Sequence, residues 1–159
     1  QFSISNFLNP IFYWIISSLL IIIFVYDLKH YIIPDKIVYP AIVIALIYNL
    51  QPSIFNSQIL SALGAAGFFL AIVLISKGKW MGVGDIKLAF FMGLFLGFPN
   101  ILVALFSAFF FGAIIGLGLI FLGKKTMKSE LPFGPFLVTG TFVGVFFGEK
   151  LINLYINLI

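Results

Sequence analysis

Asp27 and Asp85 are the residues best suited to chemistry in this chain. Only five acidic side chains, Asp27, Asp35, Asp85, Glu130 and Glu149, occur among its 159 residues, 62% of which are hydrophobic. A carboxylate at the edge of hydrocarbon is costly and usually has a task. Asp85 stands behind two glycines in Met81-Gly82-Val83-Gly84-Asp85-Ile86-Lys87, directly before a long apolar run, and Asp27 closes an earlier one. Two facing carboxylates can hydrolyse an amide without metal or thiol. The ionised one takes a proton from water and the protonated one donates to the carbonyl oxygen, and like charges held close share one proton. Such a pair titrates as a unit. Asp85 is expected at a helix N-terminus, whose dipole favours an anion, and Asp27 at a helix C-terminus, which does not. This predicts Asp85 as the base and Asp27 as the proton carrier.

The elements that must position these acids are membrane helices. Only 9% of the residues are charged and the mean hydropathy is +1.21, whereas a soluble domain is about 45–50% apolar and about 25% charged. Lipid is therefore the solvent. The chain has no cysteine, which excludes disulfides, a thiolate nucleophile and cysteine-bound zinc. The single histidine, His30, cannot build a histidine metal site alone, so no metal and no cofactor are expected. The net charge of +4 is carried by lysine without arginine, and it reads as topology rather than nucleic-acid binding. Residue 1 is Gln, so a trimmed chain or a fragment is expected. Residues 7–26 lack the basic leader and cleavage site of a signal peptide.

A span needs about 20 apolar residues. Six candidates emerge: 7–26, 34–50, 57–76, 85–98, 100–122 and 135–148, the fourth short and stopped by Pro99, with 151–159 as a tail or the end of the sixth. Pro34 suits a first helical turn. Lys29 and Lys36 fall between spans one and two; Lys77, Lys79 and Lys87 between three and four or just inside four; Lys124, Lys125 and Lys128 between five and six. The connections on the other side, 51–56 and 98–100, carry no charge. This positive-inside pattern predicts an all-α, polytopic bundle of about six transmembrane helices. Its N-terminus lies outside, and Asp27, Asp35 and Asp85 lie on the cytoplasmic face. Residues 1–159 read as one integral-membrane domain with no soluble domain or repeat.

Each residue also has a plainer reading. Asp85 could be a helix cap, although Gly82 and Gly84 permit positive φ and close approach of a bound peptide. Asp27 could be an interfacial charge paired with Lys29. Asp35 is expected to cap or orient the second span, His30 to be interfacial, and Lys87 to snorkel or, less simply, tune Asp85. The pairs Gly93/Gly97 and Gly112/Gly116 and the series Gly140, Gly144, Gly148 are expected to pack helices closely.

Three motifs together resemble the type IV prepilin peptidases, the bacterial branch of the GxGD membrane aspartic proteases. They are Tyr26-Asp27-Leu28-Lys29-His30-Tyr31-Ile32-Ile33-Pro34-Asp35, Gly82-Val83-Gly84-Asp85-Ile86-Lys87-Leu88, and Leu131-Pro132-Phe133-Gly134-Pro135-Phe136-Leu137. The resemblance implies an endopeptidase of the bacterial inner membrane. It would cut the basic leader from type IV prepilins and type II secretion pseudopilins on the cytoplasmic side, after a glycine. It maps the catalytic pair onto Asp27 and Asp85, with Gly82, Gly84, Asp35 and Lys87 in support; Asp35 matches a position where the family also accepts Asn. Many members carry an N-terminal segment with paired cysteines and also N-methylate the new terminus. With neither segment nor cysteine here, methyl transfer is not supported by the residues present. Archaeal preflagellin peptidases are near relatives. Presenilin-like proteases should carry a later Pro-Ala-Leu, absent here. An ion-coupled transporter would place its acids near the bilayer midplane, and a purely structural secretion subunit would tolerate loss of both.

Overall fold

The computed structural model describes residues 4–49, 52–123 and 131–158, the side chains of 4–9 and 52–55 excepted. Lys124, Lys125, Lys128 and Glu130 lie outside the described residues. Among the described residues six helices follow one another: α1 (Ile4–His30), α2 (Asp35–Tyr48), α3 (Pro52–Ser76), α4 (Val83–Leu96), α5 (Asn100–Phe121) and α6 (Gly134–Ile156). The fold is the expected polytopic helical bundle. Among the described residues four segments, Pro10–His30, Asn56–Ser76, Asn100–Phe121 and Gly134–Ile156, are long and apolar enough to cross a membrane. Helices α2 and α4 have 14 residues each, about 21 Å against a hydrocarbon core of about 30 Å. The shortness expected of the fourth span thus extends to the second. Pro34 is the N-cap of α2 rather than part of its first turn.

Helix α4 is the centre of the bundle. Its Leu88, Ala89, Phe91, Met92 and Leu94 are fully buried, and it packs against α2, α3, α5 and α6. Glycine makes this possible on one side. A Cβ on Gly93 would collide with the Ala62 backbone of α3, so the two helices touch at backbone distance. Gly97 ends α4 at a φ of 66°, which disfavours a side chain. The antiparallel α5/α6 pair is built the same way: a Cβ on Gly140 would strike the Ala104 carbonyl, and one on Gly148 would meet Asn100 Cγ at 2.9 Å. The packing expected of Gly93, Gly97, Gly140, Gly144 and Gly148 is present. Gly112 and Gly116 are looser, at ordinary contact with Phe133, Phe136 and Leu131.

Polar ties fix α4 to α2 at both ends. Asn49 Nδ2 donates to the Leu94 carbonyl at 3.0 Å. At the opposite end Lys87 Nζ donates to Asp35 Oδ1 at 2.7 Å and sits 5.2 Å from the Tyr39 ring centre. Outward faces are apolar, with Trp14, Leu60, Phe106 and Ile75 among the exposed side chains. In water that surface would be costly; in lipid it is the normal exterior.

Candidate active site

The end of α1, the start of α2, the start of α4 and the approach to α6 meet at one end of the bundle. They surround a cavity of about 620 Å³ whose walls include Asp27, Asp35, Gly82, Gly84, Asp85 and Lys87. All six residues singled out in the sequence therefore line one space. Asp27 and Asp85 are 3% and 7% exposed, so both are shielded although they sit in terminal turns of their helices.

Asp85 is held by its own helix. Gly82 is the N-cap of α4, and its N–H donates to Asp85 Oδ2 at 2.9 Å. This is the reciprocal half of a capping box, so the cap reading is correct as far as it goes. The capping contact uses one oxygen of a carboxylate that also faces the cavity. The glycines do not use positive φ: Gly82 has φ −87° and ψ 163°, an extended backbone, and Gly84 is not among the positive-φ residues. Gly84 is needed for closeness instead, since a Cβ there would lie 3.0 Å from Ile33 Cβ, in the segment leading into α2.

Asp27 lies in the last turn of α1, which runs on to His30 and ends where Tyr31 takes a φ of 57°. It does not pair with Lys29; the one ion pair among the described residues joins Lys87 and Asp35. Instead its Oδ2 accepts the N–H of Gly134, the first residue of α6, at 2.9 Å. The contrast drawn from helix dipoles is thereby weakened, because each carboxylate faces a helix N-terminus, α4 for Asp85 and α6 for Asp27. Lys87 neither snorkels alone nor reaches Asp85: it pairs with Asp35, which opens α2. His30 is exposed and stacks on Tyr26 at 4.3 Å, as an interfacial side chain would. Among the described residues no three His, Asp or Glu side chains gather as metal ligands would.

Sequence reasoning gave Gly134 no physical role. Its only signal was the resemblance of the Leu131–Leu137 stretch, since no local pattern reveals a bond between residues so distant in the chain.

Residues 14–117 match the type IV leader peptidase family. The chain belongs to that family. Among curated relatives, a prepilin leader peptidase/N-methyltransferase of Legionella pneumophila is 34% identical over 91% of this chain and 51% of its own length. One of the same name from Bacillus subtilis (strain 168) is 32% identical over 99% of this chain and 63% of its own length. The chain thus spans about half to two thirds of these two relatives. The leader peptidase HopD of Escherichia coli is 29% identical over 80% of this chain and 86% of its own length. No solved structure matches. With its long apolar helices, this leader peptidase family member is a multi-pass membrane protein.

Proposed function

We propose that the chain is an aspartic endopeptidase that removes the leader from type IV prepilins and type II secretion pseudopilins at the cytoplasmic edge of the bacterial inner membrane. The observation that carries this reading is the meeting of Asp27 and Asp85, from different helices, on one cavity at one end of the bundle.

The pair holds one proton between its carboxyl groups. Water placed between them gives a proton to the ionised carboxylate while its oxygen bonds to the scissile carbonyl carbon. The protonated partner gives its proton to the carbonyl oxygen. The tetrahedral diol then collapses as the C–N bond breaks. The proton taken from water goes to the leaving nitrogen, and a diol proton returns to the pair. The cycle closes with one proton again shared, and no metal or thiol enters any step. The position of the acids suits such a substrate, whose apolar helix stays in lipid while its basic leader lies in the aqueous cavity. Lysines on the same connections support the cytoplasmic orientation. A transporter would need its acids half-way along the helices, whereas Asp27 and Asp85 occupy terminal turns.

Incubating the purified protein with a prepilin and weighing the product's N-terminus tests the proposal. The expected result is a single cut directly before the apolar helix, lost in Asp27→Asn and Asp85→Asn. An uncut prepilin, or cutting that survives both substitutions, would defeat it. The same mass reports any added methyl group, and preflagellin offered in parallel separates the nearest alternative.

A further inference from the structure

The stretch Leu131-Pro132-Phe133-Gly134-Pro135-Phe136-Leu137 has no task in the chemistry above, yet its central Gly134 donates to Asp27. We propose that Gly134 is the positioning residue for Asp27, holding its carboxylate in the reactive orientation through the first free N–H of α6. This rests on the peptidase reading of the site, and the tests below separate the two.

Three features of the first turn of α6 carry the inference. The first is the supply of donors. A helix start leaves its first N–H groups without partners inside the helix. Here Pro135 has none to offer, and Phe136 and Leu137 both donate to the Phe133 carbonyl, at 3.0 and 3.1 Å. The N–H of Gly134 remains, and it is the one given to Asp27 Oδ2, at 2.9 Å.

The second feature is room. A Cβ on Gly134 would run into Asp27 Oδ2 and lie 3.0 Å from Asp27 Cγ and 3.3 Å from its Cβ. Both groups are buried. Any side chain at position 134 must therefore turn the carboxylate away.

The third is anchorage. Phe133, the N-cap of α6, has its ring centre 5.0 Å from that of Phe109 on α5 and 6.1 Å from that of Phe69 on α3. The start of α6 is thus wedged between two other helices, and the donor it presents is fixed relative to the bundle. Asp27 is oriented by a frame outside its own helix.

Gly134→Ala is the direct test, because alanine is the better helix former and a loss cannot be assigned to helix propensity. With a prepilin substrate, kcat should fall by about 100-fold, the scale expected when a reacting group is displaced by about 1 Å, with KM nearly unchanged. The pH profile should shift along with the fall in kcat, because the two carboxylates titrate as a unit and one of them has lost its donor. Tyr26, Tyr31, Asp35, Lys79, Asp85 and Lys87 line the same cavity. An Asp85→Asn background therefore belongs in the resonance titration described next, to separate the charge of Asp85 from that of Asp27. A variant that keeps kcat within threefold, or loses kcat with both pH limbs unmoved, overturns the inference.

A second measurement leaves Gly134 intact. In protein labelled with ¹⁵N-glycine, the Gly134 amide resonance should titrate with pH, and Asp27→Asn should abolish that titration. An amide that does not titrate in the unaltered protein overturns the inference even where Gly134→Ala fails to fold. If the amide titrates but the unaltered protein cuts no prepilin, the contact stands and the peptidase reading falls.

Discussion

The two halves of the site look alike and are built differently. Asp85 and Asp27 are both buried, both accept one backbone N–H at 2.9 Å, and both line the same cavity. Asp85 takes its bond from Gly82, three residues earlier on the same helix start. Asp27 takes its bond from Gly134, at the far end of the chain. The first arrangement forms as soon as α4 forms. The second exists only once α1 and α6 have packed, so it depends on the whole bundle. A locally held acid should tolerate changes elsewhere, and a remotely held one should not.

The largest effects should come from the acids themselves. Asp27→Asn and Asp85→Asn should each lower prepilin cleavage by about 1000-fold or more, within the range of lost general acid–base catalysis. If one variant kept a tenth of the activity, the equivalence of the two halves would break. Next come the glycines that donate to them. Gly82→Ala places a Cβ 3.7 Å from Asp85 Oδ2, an ordinary contact. Its kcat should fall by less than about tenfold, against the loss of about 100-fold expected of Gly134→Ala. Equal losses in the two would show that local and remote support count the same. Gly93→Leu should act on stability, forcing α3 from α4 and costing about 3 kcal/mol, the upper range for an overfilled core. Its thermal unfolding in detergent should start well below that of the unaltered protein. The smallest effects are expected at the rim: Lys87→Met and Asp35→Asn should each leave cleavage within about threefold, as exposed ion pairs usually do. A larger loss would make the α2–α4 tie part of the catalytic frame.

What could be read from the sequence follows the same division. Gly82-Val83-Gly84-Asp85 announces a helix start with its own cap, because every partner lies within one turn. The gathering of Asp27, Asp35 and Asp85 at one end of the bundle is readable from the order of the spans, which puts all three at alternate connections. The bond from Gly134 to Asp27 was not readable, since it needs the lateral order of six helices, and hydropathy says nothing about which spans touch. The pairing of Lys87 with Asp35 is hidden for the same reason: the two are far apart in sequence, and each finds its partner on another helix. The use of Gly84 differs in kind from the expected positive φ. It serves closeness to Ile33 rather than an unusual backbone angle.

The shortness of α4 has a consequence for supply. Peptide hydrolysis uses up one solvent molecule per turnover, and a bilayer is a poor source of it. A rod about 9 Å shorter than the oily layer cannot reach both of its faces, and the cavity of about 620 Å³ lies at the end where α4 starts. The first turn of α4 forms part of the wall of that cavity, and Asp85 belongs to it. The reactant can thus diffuse in from the aqueous side and needs no tunnel through the packed interior.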